Sequence, residues 1–297
     1  MSGKPVLIIG AGGMFGRHVA PEVIARGGEV RGLVRHAAGK GVARAAGVKD
    51  IVVADLRDEP AMHQILKDVS RVFYIPPKFL PDEAAVGVRL VEMASEAGVE
   101  RFVLSGVIHP FISEMANHCA KLPVQEALIT SGMNYTILQP ANLMQSIGSF
   151  FLRGVMDAGE YVDPGDKDKA ICWVDYRDVA EAAAKALTED SLSYGVFELS
   201  AAGMISMEAV VSMLSETLGR TITTRNQPVE EWVAENLPPD PVLREGFIGM
   251  GKFYSRYGFS GGNDLALRAI LGRAPRTIAT YIYEIATQSS DRFVNNV

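Results

Sequence analysis

Gly10, Gly13 and Gly16 fall within Gly10-Ala11-Gly12-Gly13-Met14-Phe15-Gly16, directly after the apolar run Val6-Leu7-Ile8-Ile9 and before a helical pattern. Strand, glycines and helix in that order form the context of a dinucleotide fingerprint. Glycines let a pyrophosphate approach the main chain, and amides at a helix start point toward it along the positive end of the helix dipole. Gly10, Gly13, Met14, Phe15 and Gly16 are therefore candidate cofactor contacts, and a turn that serves only packing is the competing reading. Other chemistries leave no such trace. The two cysteines, Cys119 and Cys172, are too few for a zinc ribbon or a disulfide scaffold. His109 and His118 have no clustered carboxylates or thiols, so no metal site is expected, and no H-E-x-x-H, G-x-S-x-G or Walker sequence occurs.

The elements that must position the glycine loop alternate regularly. Strand-like runs at Val6–Ile9, Glu29–Val34, Ile51–Val53, Arg71–Ile75, Arg101–Leu104 and Tyr135–Leu138 are separated by helical patterns at Phe15–Ala25, Gly41–Ala46, Pro60–Lys67, Asp82–Ala97 and Glu114–Thr130. Strands joined by helix-length crossovers predict an α/β fold, a doubly wound parallel sheet covered on both faces. After Pro140 the regularity fails. A helix over Asp175–Leu187 and a strand at Val196–Leu199 are expected to return to the main sheet, and Ser206 is a plausible N-cap for a helix to Leu218. A strand at Thr221–Thr224 and helices at Pro228–Glu235 and Arg276–Thr287 complete the pattern. The expected organisation is a dinucleotide-binding domain over 1–150 and a smaller, interleaved C-terminal α/β substrate subdomain over 151–297, with about 170–200 returning to the first domain.

Composition narrows the partners. Of 297 residues, 48% are hydrophobic and 22% charged, which fits an ordinary globular chain. The formal net charge is −6 and no basic block occurs, so direct nucleic-acid binding is not expected. The uncharged stretch Ala127–Leu152 carries Gly132, Asn134, Gln139, Pro140, Asn142 and Gln145, which disqualify it as a membrane span; it reads as a helix end, a strand and a loop. The N-terminus lacks the layout of a signal peptide, and few cysteines suit a reducing cytosol, so a cytoplasmic protein with no membrane partner is expected.

The G-x-x-G-x-x-G spacing resembles the extended and atypical branches of the short-chain dehydrogenase/reductase superfamily. In NAD enzymes of that kind the second strand ends in an acid that binds the ribose hydroxyls, whereas Leu33-Val34-Arg35 stands here, 19 residues past Gly16. Arginine cannot accept from a 2′-hydroxyl, but its planar donor fork matches a 2′-phosphate. NADP(H) is thus the expected cofactor, against the alternative of Arg35 as a solvated surface charge. By the same resemblance Asp55-Leu56 looks like the pair beside the adenine ring, and Ile75-Pro76-Pro77 like the backing of the adenosine half.

Further motifs narrow the branch. Gly98-Val99-Glu100-Arg101-Phe102-Val103-Leu104-Ser105, Asn117-His118-Cys119-Ala120-Lys121, Ser131-Gly132-Met133-Asn134-Tyr135 and Gln139-Pro140-Ala141-Asn142 look like the NmrA-like group of atypical short-chain dehydrogenases. Trp173-Val174-Asp175-Tyr176-Arg177-Asp178, Leu218-Gly219-Arg220 and Leu271-Gly272-Arg273-Ala274-Pro275 resemble the group's later segments. The resemblance implies cofactor contacts at Ser105, Lys121, Pro140 and Asn142. Typical superfamily members carry Tyr-x-x-x-Lys, with the lysine lowering the phenol's pKa and holding the nicotinamide ribose. Here the lysine is Lys121, but Asn117 stands at the tyrosine position and Val107 at that of the usual serine. Resemblance to reductases of the isoflavone and phenylcoumaran type implies that a lysine serves without the tyrosine. His118, on the same helix face as Lys121, has two open roles: donating a proton or hydrogen-bonding a loop. Cys119 points about 200° away from Lys121 at 100° per residue and is not a proposed nucleophile.

These readings predict an NADP(H)-dependent oxidoreductase, with Lys121 and His118 as catalytic candidates. Its expected substrate is a small apolar carbonyl, enone, imine or quinone held between cofactor and C-terminal subdomain. Phe111, Met144, Phe150, Phe151, Tyr161 and Tyr254 are candidates for that pocket and equally for the core. The alternative is a non-catalytic redox sensor of NmrA type that binds the dinucleotide and a protein partner; the missing tyrosine favours it, and the retained Lys121 favours the enzyme.

Overall fold

The computed structural model describes residues 3–77, 79–148, 155 and 157–294. Its contacts divide the chain into two compact units, one of Met1–Ser113, Asn117–Pro140 and Tyr176–Glu198, the other of Glu114–Ala116, Ala141–Asp175 and Leu199–Val297. Among the described residues, no helix is long and apolar enough to cross a membrane.

The first unit runs β1 (Val6–Ile9), α1 (Gly16–Ala25), β2 (Val30–Val34), α2 (Lys40–Ala45), β3 (Asp50–Val53), α3 (Glu59–Lys67), β4 (Arg71–Tyr74), α4 (Glu83–Glu96), β5 (Arg101–Ser105), α5 (Ala116–Cys119), α6 (Leu122–Thr130) and β6 (Asn134–Pro140). With β10 (Gly195–Leu199), these strands form one sheet in the order β10-β6-β5-β4-β1-β2-β3. The pairs from β3 through β6 are parallel, with Val6 opposite both Val30 and Arg71. The order reverses between β1 and β4, which makes their carboxyl ends the switch point where doubly wound folds bind ligands. Alternation along the strands sends Leu7, Ile9, Val72, Tyr74, Phe102 and Leu104 into a buried cluster with Met62 and Leu66 of α3, Leu90 and Met93 of α4 and Val124 and Leu128 of α6. The returning helix Tyr176–Thr188, α7 here, packs on α1. It also satisfies a buried cation, since the Arg101 guanidinium donates to the Ala186 carbonyl at 2.9 Å and to the Glu189 carbonyl and Asp190 carboxylate.

The helix expected over Glu114–Thr130 is instead two pieces, α5 and α6, with Lys121 between them. Pro123 has no N–H to continue the ladder and stands in the first turn of α6, where that loss costs nothing.

The second unit contains β7 (Asn142–Leu143), β8 (Glu160–Asp163), β9 (Ile171–Val174), β11 (Met204–Ile205), α8 (Met207–Leu218), β12 (Thr223–Asn226), α9 (Val229–Asn236), α10 (Pro241–Tyr257), α11 (Leu265–Leu271) and α12 (Ile278–Val294). Its strands form a sheet in the order β11-β9-β7 and a β12-β8 pair. Ser206 caps α8 by accepting from the Ala209 N–H, and Asp240 caps α10 by accepting from that of Leu243, contacts worth about 1 kcal/mol each.

Candidate functional site

The glycine loop gives each glycine a different reason. Gly10 has φ +76°, and its N–H and that of Ala11 donate to the Leu33 carbonyl at 3.0 and 3.2 Å, tying the turn to the end of β2. A Cβ on Gly16 would overlap the Gly10 carbonyl, so Gly16 is required by the close approach of α1 to the end of β1. Gly13 is exposed, and a Cβ there would stand 3.1 Å from the Gly10 oxygen. Gly12, which the three-glycine reading left out, meets the backbone of Gly39, where a Cβ would lie 2.5 Å from the carbonyl. Behind this loop the α1 N-terminus has no side-chain cap and no acid in its first turn, unlike α3, whose N-cap Asp58 accepts from Ala61. An uncapped helix start facing an exposed glycine backbone fits the pyrophosphate of a dinucleotide. Phe15 is fixed by Tyr176, whose ring lies 4.8 Å away and whose hydroxyl donates to Ser105 Oγ at 3.4 Å.

Next to the loop, the strand ends enclose a cleft of about 100 Å³. Gly10, Arg35, Asp55, Leu56 and Ile75 all line it, so the fold brings these candidates together. Pro77 lines it as well, while Pro76 is buried behind. Arg35 Nε donates to Asp55 Oδ2 at 3.1 Å, and the guanidinium is otherwise 58% exposed. The Arg57 N–H, with the Arg35 and Arg57 cations adding to it, holds the Asp55 carboxyl below its usual range. Arg57 also lines the cleft and forms a two-pronged pair with Asp82, at 2.8 and 2.6 Å. The sequence reading passed over Arg57 although it directly follows Asp55-Leu56; a second guanidinium at this strand end is the signal.

Lys121 is buried between α5 and α6, where its Nζ is ion-paired with Glu83 of α4 and donates to the Asn117 carbonyl at 2.8 Å. Glu83 is itself buried, and it too was not anticipated. His118 Nδ1 lies 3.3 Å from the His109 carbonyl oxygen. Burial, reinforced by the Lys121 charge, pushes the His118 pKa down to about 4, so the ring is neutral at neutral pH. These are the surroundings of a hydrogen-bonded core histidine. Cys119 Sγ is turned to the Ile112 carbonyl at 3.0 Å.

The other candidates are dispersed. Pro140 ends β6, and its carbonyl accepts from the Ile108 N–H at 3.0 Å. Asn142 belongs to the second unit, where it lines a cleft with Tyr161 and Tyr254. Met144 is fully buried in that unit, Phe111 is 68% exposed in the first, and Phe150 and Phe151 lie outside the described residues.

A family model described as the NmrA-like family matches residues 2–272. The chain is 28% identical over 218 residues to an NAD(P)H azoreductase of Xenophilus azovorans, covering 73% of this chain and 75% of that one. It is 23% identical over 235 residues to quinone oxidoreductase 2 of Escherichia coli strain K12, covering 77% and 80%. Among solved structures, the Citrobacter sp. triphenylmethane reductase complexed with NADP(H) superposes with a TM-score of 0.83 at 18% identity, over 94% of this chain and 99% of that one. The NADPH complex of an Escherichia coli NADPH-dependent quinone oxidoreductase gives 0.78 at 21%, over 94% and 99%. Those structures share the doubly wound α/β fold described above.

Proposed function

The chain belongs to the NmrA-like family, and on that footing we propose that it is an NADP(H)-dependent reductase acting on a small apolar carbonyl, enone, imine or quinone. The observation that carries this reading is the uncapped α1 N-terminus behind exposed Gly13, opening beside a strand-end cleft that holds both Arg35 and Arg57. The naming of relatives as NAD(P)H-dependent azo and quinone reductases supports it.

When bound, the dinucleotide supplies or accepts the hydride. The glycine loop would hold its pyrophosphate, Arg35 and Arg57 would hold the 2′-phosphate, and Leu56 and Ile75 would pack the adenine. Ser105, held by Tyr176, and Pro140 lie at strand ends on the same sheet edge. An ammonium has three protons, of which Glu83 and the Asn117 carbonyl occupy two. We assign the third to the nicotinamide ribose, where Lys121 would orient the sugar and would offer a fixed positive charge beside it. The second unit, with Asn142 at the start of β7, is assigned to the organic substrate. Cys119 and Cys172, neither of them in a disulfide, suit a reducing compartment, and we place the protein in the cytoplasm.

A second reading, a dinucleotide sensor without turnover, draws on one observation. His118 is neutral and so holds no proton for release at neutral pH, and the Lys121 Nζ is engaged by Glu83 and the Asn117 carbonyl. NADPH oxidation measured against quinones, enones, imines and ketones tests the reductase: turnover of one class is expected. Tight NADPH binding with no hydride transfer to any of them in a single turnover would leave the sensor.

A further inference from the structure

Strand β8 alternates half-buried and buried residues, so Tyr161 and Asp163 share its inward face. That face calls for apolar side chains, and Asp163 places a carboxylate there, 8% exposed. The Tyr161 hydroxyl and the Gly165 N–H hydrogen-bond this carboxylate. Two donors leave part of its accepting capacity open. Among the described residues no cation stands within ion-pair distance of it. Lys167 is drawn off to Glu208 at 2.9 Å and Asp168 at 3.0 Å. A buried charge without a counter-ion is expensive, and proteins keep such groups where something else supplies the opposite charge.

Asp163 opens onto the cleft of about 100 Å³ in the second unit, which Tyr161, Trp173, Tyr254 and Met207 also line. Trp173 is fixed by donating its indole N–H to the Ile205 carbonyl at 3.1 Å, and Tyr254 packs on Phe259 with ring centroids 4.9 Å apart. A cleft lined by three aromatic side chains and a buried carboxylate suits a positive charge on an aromatic body, which the ion attracts and the rings can support. At the rim, Asp166 and Lys169 carry opposite charges, which leaves Asp163 as the net charge of the cleft. Burial raises the Asp163 pKa to about 6, with Asp166 adding to the rise and Tyr161, Gly165 and Lys167 opposing it, so the group is still ionised at pH 7.5.

We propose that this cleft is a binding site for an aromatic organic cation, with the Asp163 carboxylate taking the ammonium or iminium charge and Tyr161, Trp173 and Tyr254 taking the apolar body. Asn142 lines the same cleft, so the proposal deepens the assignment of the second unit to the organic substrate; the binding of a cation is read without turnover and can fail while NADPH oxidation stands, or the reverse.

Calorimetry on the full chain at pH 7.5 tests it with three probes that share a phenylethyl body: 2-phenylethylammonium, 2-phenylethanol and 3-phenylpropionate. The cation is expected to bind at least about tenfold more tightly than the alcohol, and the carboxylate not at all, in line with the strength of charge-assisted hydrogen bonds. Asp163→Asn, which still accepts from Tyr161 and Gly165, should erase the gap between cation and alcohol. Lys169→Met, which removes the like charge at the rim, should tighten the cation. Equal affinity for cation and alcohol in the wild type overturns the proposal, and so does a folded Asp163→Asn protein that binds the cation as before. If Asp163→Asn does not fold, the ranking of the three probes on the wild type and on Lys169→Met decides alone.

Discussion

Lys121 and Glu83 form a buried ion pair that joins the break between α5 and α6 to the first turn of α4. Neither charge has water to fall back on. Removing only Lys121 takes the paired cation away from a carboxylate that stays buried, which costs about 3–5 kcal/mol. Lys121→Ala is therefore expected to lower the thermal midpoint as well as turnover. Lys121→Met combined with Glu83→Gln should recover most of the stability while hydride transfer stays down by about 10²-fold, the usual scale for a group that moves or holds a proton. If the double variant regains single-turnover hydride transfer, Lys121 acts through the fold and not on the cofactor.

Arg35 and Asp55 share a hydrogen bond at the mouth of the strand-end cleft, and Arg57 stands beside them. If Arg35 holds the 2′-phosphate as proposed, Arg35→Asp should shift the ratio of NADPH to NADH affinity toward NADH by about 10-fold or more, since the guanidinium fork is lost and a carboxylate for ribose hydroxyls is gained. Arg57→Ala should weaken NADPH by a smaller factor and leave NADH almost untouched. Titration of each cofactor into each variant measures both, and unchanged ratios would remove the two arginines from phosphate recognition.

The glycines of the loop are expected to separate into two kinds. Gly13→Val puts a branched side chain on the exposed face of the loop and should abolish dinucleotide binding while the protein still folds. Gly16→Ala drives a methyl into the Gly10 carbonyl and should destabilise the first unit. Circular dichroism and NADPH titration together distinguish them; a folded Gly13→Val protein with normal NADPH affinity would reduce the loop to a packing turn.

Acid titration should reveal two buried groups of opposite sign. The unfolded chain protonates His118 near 6.5 and the folded chain only near 4, so its contribution is full above pH 6.5 and is lost as pH falls toward 4. His118→Gln should therefore flatten the acid side of the stability profile by about 2–3 kcal/mol. Asp163 goes the other way: its folded pKa, about 6, lies above the unfolded 3.8, so the cost of its charge grows as pH rises from 4 to 6. Asp163→Asn should stabilise the protein at pH 8 by about 1–3 kcal/mol and hardly at all at pH 4. Denaturation series at pH 4, 6 and 8 check both.

The parallel sheet was legible because each of its first six strands is an apolar run followed by a helix-length crossover, and periodicity reads such runs directly. That Gly10, Arg35, Asp55, Leu56 and Ile75 would line one cleft was legible for a related reason, since strand ends in this topology converge on one edge. Glu83 and Tyr176 were not, because what marks them is a partner 38 or 71 residues distant, at Lys121 and Ser105. Helix α10 was missed although Asp240-Pro241 announces its start. None of its residues is fully buried, so it writes no apolar stripe for a pattern search to find. The two-residue strands β7 and β11 are too short to have a period at all.

The return of Tyr176–Glu198 to the first unit sets an order of events during synthesis. When residue 140 has left the ribosome, six strands of the sheet exist, but β6 is an open edge that can pair with any passing strand. The guanidinium of Arg101 waits too, because the carbonyls of Ala186 and Glu189 are still to be made. At about 5–20 residues per second, this exposure lasts several seconds before β10 can close the edge. A fragment ending near residue 175 keeps the β6 edge and the Arg101 guanidinium without their partners, and is expected to aggregate where the full chain does not.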